Sequence, residues 1–384
     1  MTRMQHAEGE IWYNTRIMRK TILALLAAAA FAGCEKEDDG SADFNKGAEA
    51  CVARDFRQAA MCFETAAKKN ATNFTARVRL ALVNIELGDM PAAKAAVESA
   101  LELDPTSAEA LLIDGQVAYH MKDFARAKKD FSDVAEGKQL PAELRSAALT
   151  SRAVMEIEAQ LFERARLSLW RAIRLDGKNG AAWYHLGHLS RNTYHFEEAA
   201  MEQFEMASRL IKDPARAKAI GRDTLPALRD SLRAKPASKP GAANRDPGGS
   251  AKLVTEAAAL AKKDPKASAA KYAEAYAKDP LSYEAAWNHA KAAMATAKGG
   301  EKVAKALEAF QDAIDQRPNS QETYRTAARA ALGHAHPMRA EKFLSQALAH
   351  DPGCKPTLDL YVQTLRRLGK SAEAKLYETY LKEL

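Results

Sequence analysis

The chain has 384 residues, a net charge of +7 and 47% hydrophobic residues, enough to bury a substantial core in two or three domains or one extended array. Only 7% of residues are aromatic, and no basic stretch is interleaved with aromatics in the way that stacks bases, so nucleic acid is not an expected partner. Alanine dominates the apolar residues, and no window alternates with period two, which favours closely packed helices over strands.

Chain order begins with Arg19-Lys20 and an uncharged run of thirteen residues, Thr21 to Gly33. As a helix at about 1.5 Å per residue it spans roughly 20 Å, short of the roughly 30 Å hydrocarbon layer, so it reads as a cleavable signal segment. Residues 1–33 are taken as signal peptide with an upstream extension, and Met18 is a second candidate start. Phe31-Ala32-Gly33-Cys34 then leads into the acidic tether 34–40. This ending resembles the lipobox of bacterial lipoproteins, with Phe31 standing where leucine is usual. The resemblance implies acylation of Cys34 and a membrane-held mature chain. With Glu35 in place of aspartate it implies the outer membrane, facing the periplasm. The alternative is an ordinary secretory signal with an incidental cysteine.

From Ser41 onward the sequence repeats. Gly47, Ala81 and Gly115 are each 34 residues apart, as are Ala59, Ala93 and Ala127, and Phe63, Val97 and Phe131. Small residues suit the crossing of two helices, and bulky ones fill the space beside it. Turns are marked by Arg54-Asp55-Phe56, Gly88-Asp89-Met90 and Lys122-Asp123-Phe124. A fourth unit carries Ala153, Phe162, Ala165 and Leu169, and a fifth opens with Trp183-Tyr184-His185-Leu186-Gly187. Residues 215–250 are rich in Pro, Gly and Ala and hold eight basic residues against three acidic ones, the composition of a flexible linker. Within it, Thr224 to Ala234 is a candidate capping helix. Four further units are marked by Tyr272, Ala275 and Pro280, by Trp287, Ala306, Phe310 and Ala313, by Tyr324, Ala328, Ala340 and Leu344, and by Leu358, Val362, Gly369 and Ala374.

This pattern resembles the tetratricopeptide repeat, a helical hairpin of 34 residues. The expected fold is all-α: an array of five units over 41–214 and one of four units over 251–384, joined by the flexible linker. The resemblance implies a scaffold whose first helices line a groove that takes protein or peptide segments. Here that means an adaptor in a cell-envelope complex, bound to other envelope proteins and to the membrane through Cys34. The alternative is a peptidoglycan-associated adaptor or a regulator of an envelope enzyme.

The residues expected to face the groove in the first array include Phe44, Val78, Leu82, Ile85, Leu112, Tyr119, Val154, Ile157 and Tyr184, a mostly apolar set, with His188 as a polar neighbour. In the second array they are Arg325, Arg329 and Arg366, with Asn288 and Arg367, a basic set suited to an acidic segment. His185, His188 and His195 match no metal motif with their neighbours. The sequence shows no GxSxG, no phosphate-cradling glycine loop and no HExxH, so no enzyme activity, metal, cofactor or small-molecule substrate is expected. Cys51 and Cys62 fall on opposite helices of the first hairpin, either bridged or buried as free thiols.

Overall fold

The computed structural model describes residues 39–211, 214–237, 239 and 241–384. The signal segment, Cys34 and nearly all of the acidic tether lie outside the described residues. The described residues are helical, with no strand among them.

The helices come in pairs. The first five pairs are α1 (Ser41–Val52) with α2 (Phe56–Lys69), α3 (Phe74–Leu87) with α4 (Met90–Leu103), α5 (Ala108–His120) with α6 (Phe124–Glu136), α7 (Ala142–Glu158) with α8 (Phe162–Leu175), and α9 (Gly180–Asn192) with α10 (Glu197–Leu210). This is the all-α, tetratricopeptide-type hairpin array read from the spacing. Each pair closes on a small-against-large contact. A Cβ added to Gly47 would come within 2.8 Å of the Phe63 ring, and one on Gly115 within 2.6 Å of the Phe131 ring.

The turns follow from the residues that mark them. In the first four hairpins one turn residue is left-handed: Arg54 (φ 61°), Gly88 (φ 81°), Lys122 (φ 64°) and Gln160 (φ 58°). Only Gly88 adopts this conformation without a steric cost. The aspartate that follows caps the second helix: Asp55, Asp89 and Asp123 accept from the backbone N–H of Gln58, Ala92 and Arg126.

Residues 215–250, expected as a linker, are largely helical: most of α11 (Pro214–Ala219), a π-turn Ile220–Thr224, α12 (Leu225–Ala237), a 3₁₀ turn Ala242–Asn244 and the start of α13 (Pro247–Leu260). Of the prolines that suggest a linker, Pro247 occupies a first-turn position, where no backbone donor is needed, and Pro236 falls in the last turn of α12. Asp246 caps α13 by accepting from the Gly249 N–H at 2.8 Å. The remaining helices are α14 (Pro265–Lys278), α15 (Tyr283–Thr296), α16 (Gly300–Gln316), α17 (Gln321–Gly333), α18 (Pro337–His350), α19 (Lys355–Arg367) and α20 (Ser371–Glu383).

The chain divides into two compact units, and the division runs through the fifth hairpin. Described residues up to Leu186 with Met206–Lys218 form one unit, and Gly187–Glu205 with Ala219–Leu384 form the other. The first unit is cored by residues such as Phe63, Phe131, Leu169 and Trp170, and the second by Phe204, Phe310, Tyr324, Phe343 and Tyr377, all almost fully buried. Cys51, Cys62 and Cys354 are free thiols.

Candidate partner-binding surface

The second unit presents a row of cations on its first helices. Ser282, Ser320 and Cys354 precede α15, α17 and α19, so the fifth and ninth residues of these helices occupy equivalent places. Those places hold Trp287 and Lys291, Arg325 and Arg329, and Asp359 and Gln363. Residues four apart on a helix share a face. Arg366 and Arg367 close the row in the last turn of α19.

The aromatic end of this face is held in a ladder. The Lys291 ammonium lies 5.0 Å over the Trp287 ring, and Tyr283 stacks on Trp287 with 6.0 Å between centroids. The Arg317 guanidinium lies 3.8 Å over Tyr283 and pairs with Glu284 at 2.7 Å. Partial burial draws the Lys291 ammonium below the ordinary lysine range, against the opposing pull of Glu322. Arg325 is half-buried and donates to Thr357 Oγ1 at 3.2 Å. Arg366 pairs with Glu378 at 2.5 Å. Arg329 and Arg367 are exposed and have no ion-pair partner among the described residues. Planar guanidinium groups beside an accessible indole suit carboxylates carried on a segment with some apolar character.

Counting from the helix caps also locates what the repeat alignment misses. Asn288, expected to face inward, turns back and donates to the Glu284 carbonyl at 2.9 Å on its own helix. Trp287, which served only as a repeat marker, takes the face instead. The signal was available in Ser282, the residue type that begins a helix.

The first unit differs from expectation. Val78, Leu82, Ile85, Leu112, Tyr119 and Tyr184 are only 1–6% exposed, so they form no open apolar wall. The repeat register gives the direction a side chain faces and not whether that face is accessible. Tyr119 donates to Glu158, and burial raises its phenol well above the ordinary value. Ile157 is half-buried. His188, in the second unit, packs edge-on against Phe204 at 5.0 Å, and burial lowers its imidazole to about 4, leaving it neutral at pH 7. Among the described residues no group of three or more His, Cys, Asp or Glu side chains is arranged to hold a metal ion. No helix among them is long and apolar enough to cross a membrane.

A buried acidic cluster lies inside the third hairpin. Arg126 grips both oxygens of Asp114 at 2.7 Å and reaches Glu98 at 3.2 Å. Asp130 is pushed up to about 7, first by burial and then by its hydrogen bond and charge contact with Asp114.

Comparison with known proteins agrees with this architecture. The tetratricopeptide-repeat family matches residues 44–108 and 85–141, and the coatomer epsilon subunit family matches residues 274–383. No curated protein sequence matches the chain. Among solved structures, pilF of Pseudomonas aeruginosa is 16% identical, with a TM-score of 0.42, covering 53% of this chain and 94% of its own. A tetratricopeptide repeat protein from Parabacteroides merdae is 12% identical, with a TM-score of 0.33, covering 85% of this chain and 99% of its own. YrrB, described as a TPR protein with an unusual peptide-binding site, is 17% identical, with a TM-score of 0.30, covering 69% of this chain and 96% of its own.

Proposed function

We propose that the chain is a non-catalytic interaction scaffold of the cell envelope, held to the outer membrane by acyl chains on Cys34 and facing the periplasm. Its second array binds an acidic segment of a partner protein across the first helices. The observation that carries this reading is the row formed by Trp287, Lys291, Arg325, Arg329, Arg366 and Arg367, in which Arg329 and Arg367 are exposed without ion-pair partners among the described residues. Charge-assisted, two-pronged bonds from guanidinium to carboxylate supply orientation as well as affinity. The anchor is supported by the sequence Leu23 to Gly40, in which an apolar run meets a cysteine and then an acidic tether.

The test is a binding titration of a fluorescent peptide alternating glutamate with leucine and phenylalanine against the full mature chain. Arg329→Glu with Arg367→Glu is expected to weaken capture at least about tenfold, the effect of losing about 1.4 kcal/mol. Binding of the parent should weaken with added salt, because exposed charge contacts are screened. Unchanged capture by the reversed variant sinks the acidic-segment reading. Anchoring is read separately, by mass spectrometry of the mature chain purified from cells: a Cys34 that carries no acyl chain refutes it.

A further inference from the structure

We infer that the turn edge of the first unit is a membrane-contact rim, which rests against a phospholipid surface once the chain is anchored. The inference builds on the proposed acylation of Cys34 and concerns a different part of the molecule from the cationic row.

The rim is made by the turns that join first to second helices. Val52 and Leu87 end α1 and α3, Met121 and Leu161 stand in the turns after α5 and α7, so four consecutive hairpins each place one at this edge, and Phe124 opens α6 beside Met121. These side chains are 40–87% exposed. Single exposed apolar residues are ordinary on any surface. Recurrence at the same turn of successive hairpins is different, because it places the residues in a line. The first helices α3, α5 and α7 adjoin one another and run the same way, so their turns share one edge. Neighbouring turns are then roughly 10 Å apart, the spacing of packed helices. A straight row of apolar tips fits a planar partner better than a pocket does.

Chain length points to a bilayer as that partner. Arg54 and Lys122 are exposed in the same turns and suit phosphate headgroups. The aspartates of these turns, Asp55, Asp89 and Asp123, are engaged with the N-termini of their own second helices. Cys34 precedes Ser41 by seven residues, a length of chain that reaches at most about 24 Å. Helix α1, with 12 residues, is about 18 Å long. A lipid-held Cys34 therefore lets α1 stand upright with its Val52 end touching the same bilayer, while a tether a few residues shorter would not.

The experiment uses the full mature chain and vesicles of phosphatidylethanolamine with phosphatidylglycerol. In one arm Cys34→Ser removes the acyl chains, and sedimentation with vesicles compares this parent with a version also carrying Leu87→Asp, Met121→Asp and Leu161→Asp, its helix content checked by circular dichroism. Bound fraction is expected to fall about tenfold, as the loss of a few partly inserted apolar groups requires. Equal binding of a folded triple variant overturns the inference. In the second arm the acylated chain carries Phe124→Trp in vesicles with brominated acyl chains. Quenching beyond that of the acylated parent supports the rim even where the unacylated chain binds too weakly to measure, and no added quenching overturns it. Mass spectrometry of Cys34 decides the anchor independently, and without a lipid there the sedimentation arm alone judges the rim. A triple variant that changes the chain's oligomeric mass and leaves vesicle binding unaltered assigns the rim to a second copy of the chain and overturns the inference.

Discussion

Asp130 shows what one buried group does to the pH response of the whole chain. Its carboxyl, ordinarily near 3.8, is pushed up to about 7 by burial and by Asp114. The folded state therefore keeps a proton that the unfolded chain releases once pH exceeds its ordinary value. Stability supplied by this group is fully present below about pH 4 and is lost as pH rises towards 7. Asp130→Asn keeps a donor beside Asp114 and carries no charge. The variant is expected to be more stable than the parent above pH 7 by about 1–2 kcal/mol, a value reduced for solvent screening of a partly accessible cluster. Below about pH 4 the two should be close. Urea unfolding at both pH values checks this, and a gap of the same size and sign at each would mean the proton on Asp130 is not its source.

At the scale of the helix pair, the architecture rests on matched sizes. Gly47 faces Phe63, Gly115 faces Phe131 and Gly187 faces Phe204, and in each case an added Cβ would come within 3.0 Å of the ring. Where the repeat places alanine, at Ala81 and Ala153, the equivalent partner is smaller than phenylalanine, Val97 or Leu169. All four of these residues are fully buried. Gly115→Ala is expected to cost about 1–3 kcal/mol by overpacking, and Phe131→Leu about 1–2 kcal/mol by leaving a cavity. The double variant reproduces the pair already present at Ala153 and Leu169. It should therefore lose less than the sum, with a coupling of about 1–2 kcal/mol in a double-mutant cycle by denaturant unfolding. Strict additivity would refute size matching as the rule of the crossing. This much of the fold was legible, because a crossing of two helices leaves its mark in residue volume at fixed spacing. The turns were legible for a similar reason, since an aspartate after a left-handed residue has one local use. Pro247-Gly248-Gly249 was misread because composition does not say whether a proline stands outside a helix or in its first turn. The candidate surface was legible in part: Arg329 and Arg367 were expected on a basic groove face and are exposed, but Trp287 required counting from Ser282. The covered state of Val78 and Leu82 depends on neighbours that a periodic pattern does not name.

Over the whole molecule, the features that escape sequence are those that join residues far apart in the chain. A repeat describes contacts between nearest hairpins and says nothing about later ones. In the second unit Gln203 lies on α10 and donates to the Ala349 carbonyl on α18 at 3.1 Å, across 146 residues. His350 Nδ1 lies 3.1 Å from Glu202 Oε2 alongside, and Phe196, Ala199 and Ala349 pack into one small apolar cluster. The reason for the contact is electrostatic as well as steric. Ala349 is the penultimate residue of α18, so its carbonyl has no partner within the helix, and the buried amide of Gln203 provides one. Gln321 adds a second donor, at 2.7 Å, to the Ala347 carbonyl, which already accepts from the Asp351 N–H. Removing a donor from a buried acceptor costs more than the hydrogen bond itself contributes, because the carbonyl is left unsolvated. Gln203→Ala should thus destabilise the second unit by about 1–3 kcal/mol, while hydrogen exchange in α2 to α6 of the first unit stays unchanged. Exchange should quicken at the C-terminal turn of α18 and in α10 up to residue 205. If α18 were equally protected in the variant, its end would be held by the hairpins after residue 250 alone, and Gln203 would be a neighbour of that helix without contributing to its stability.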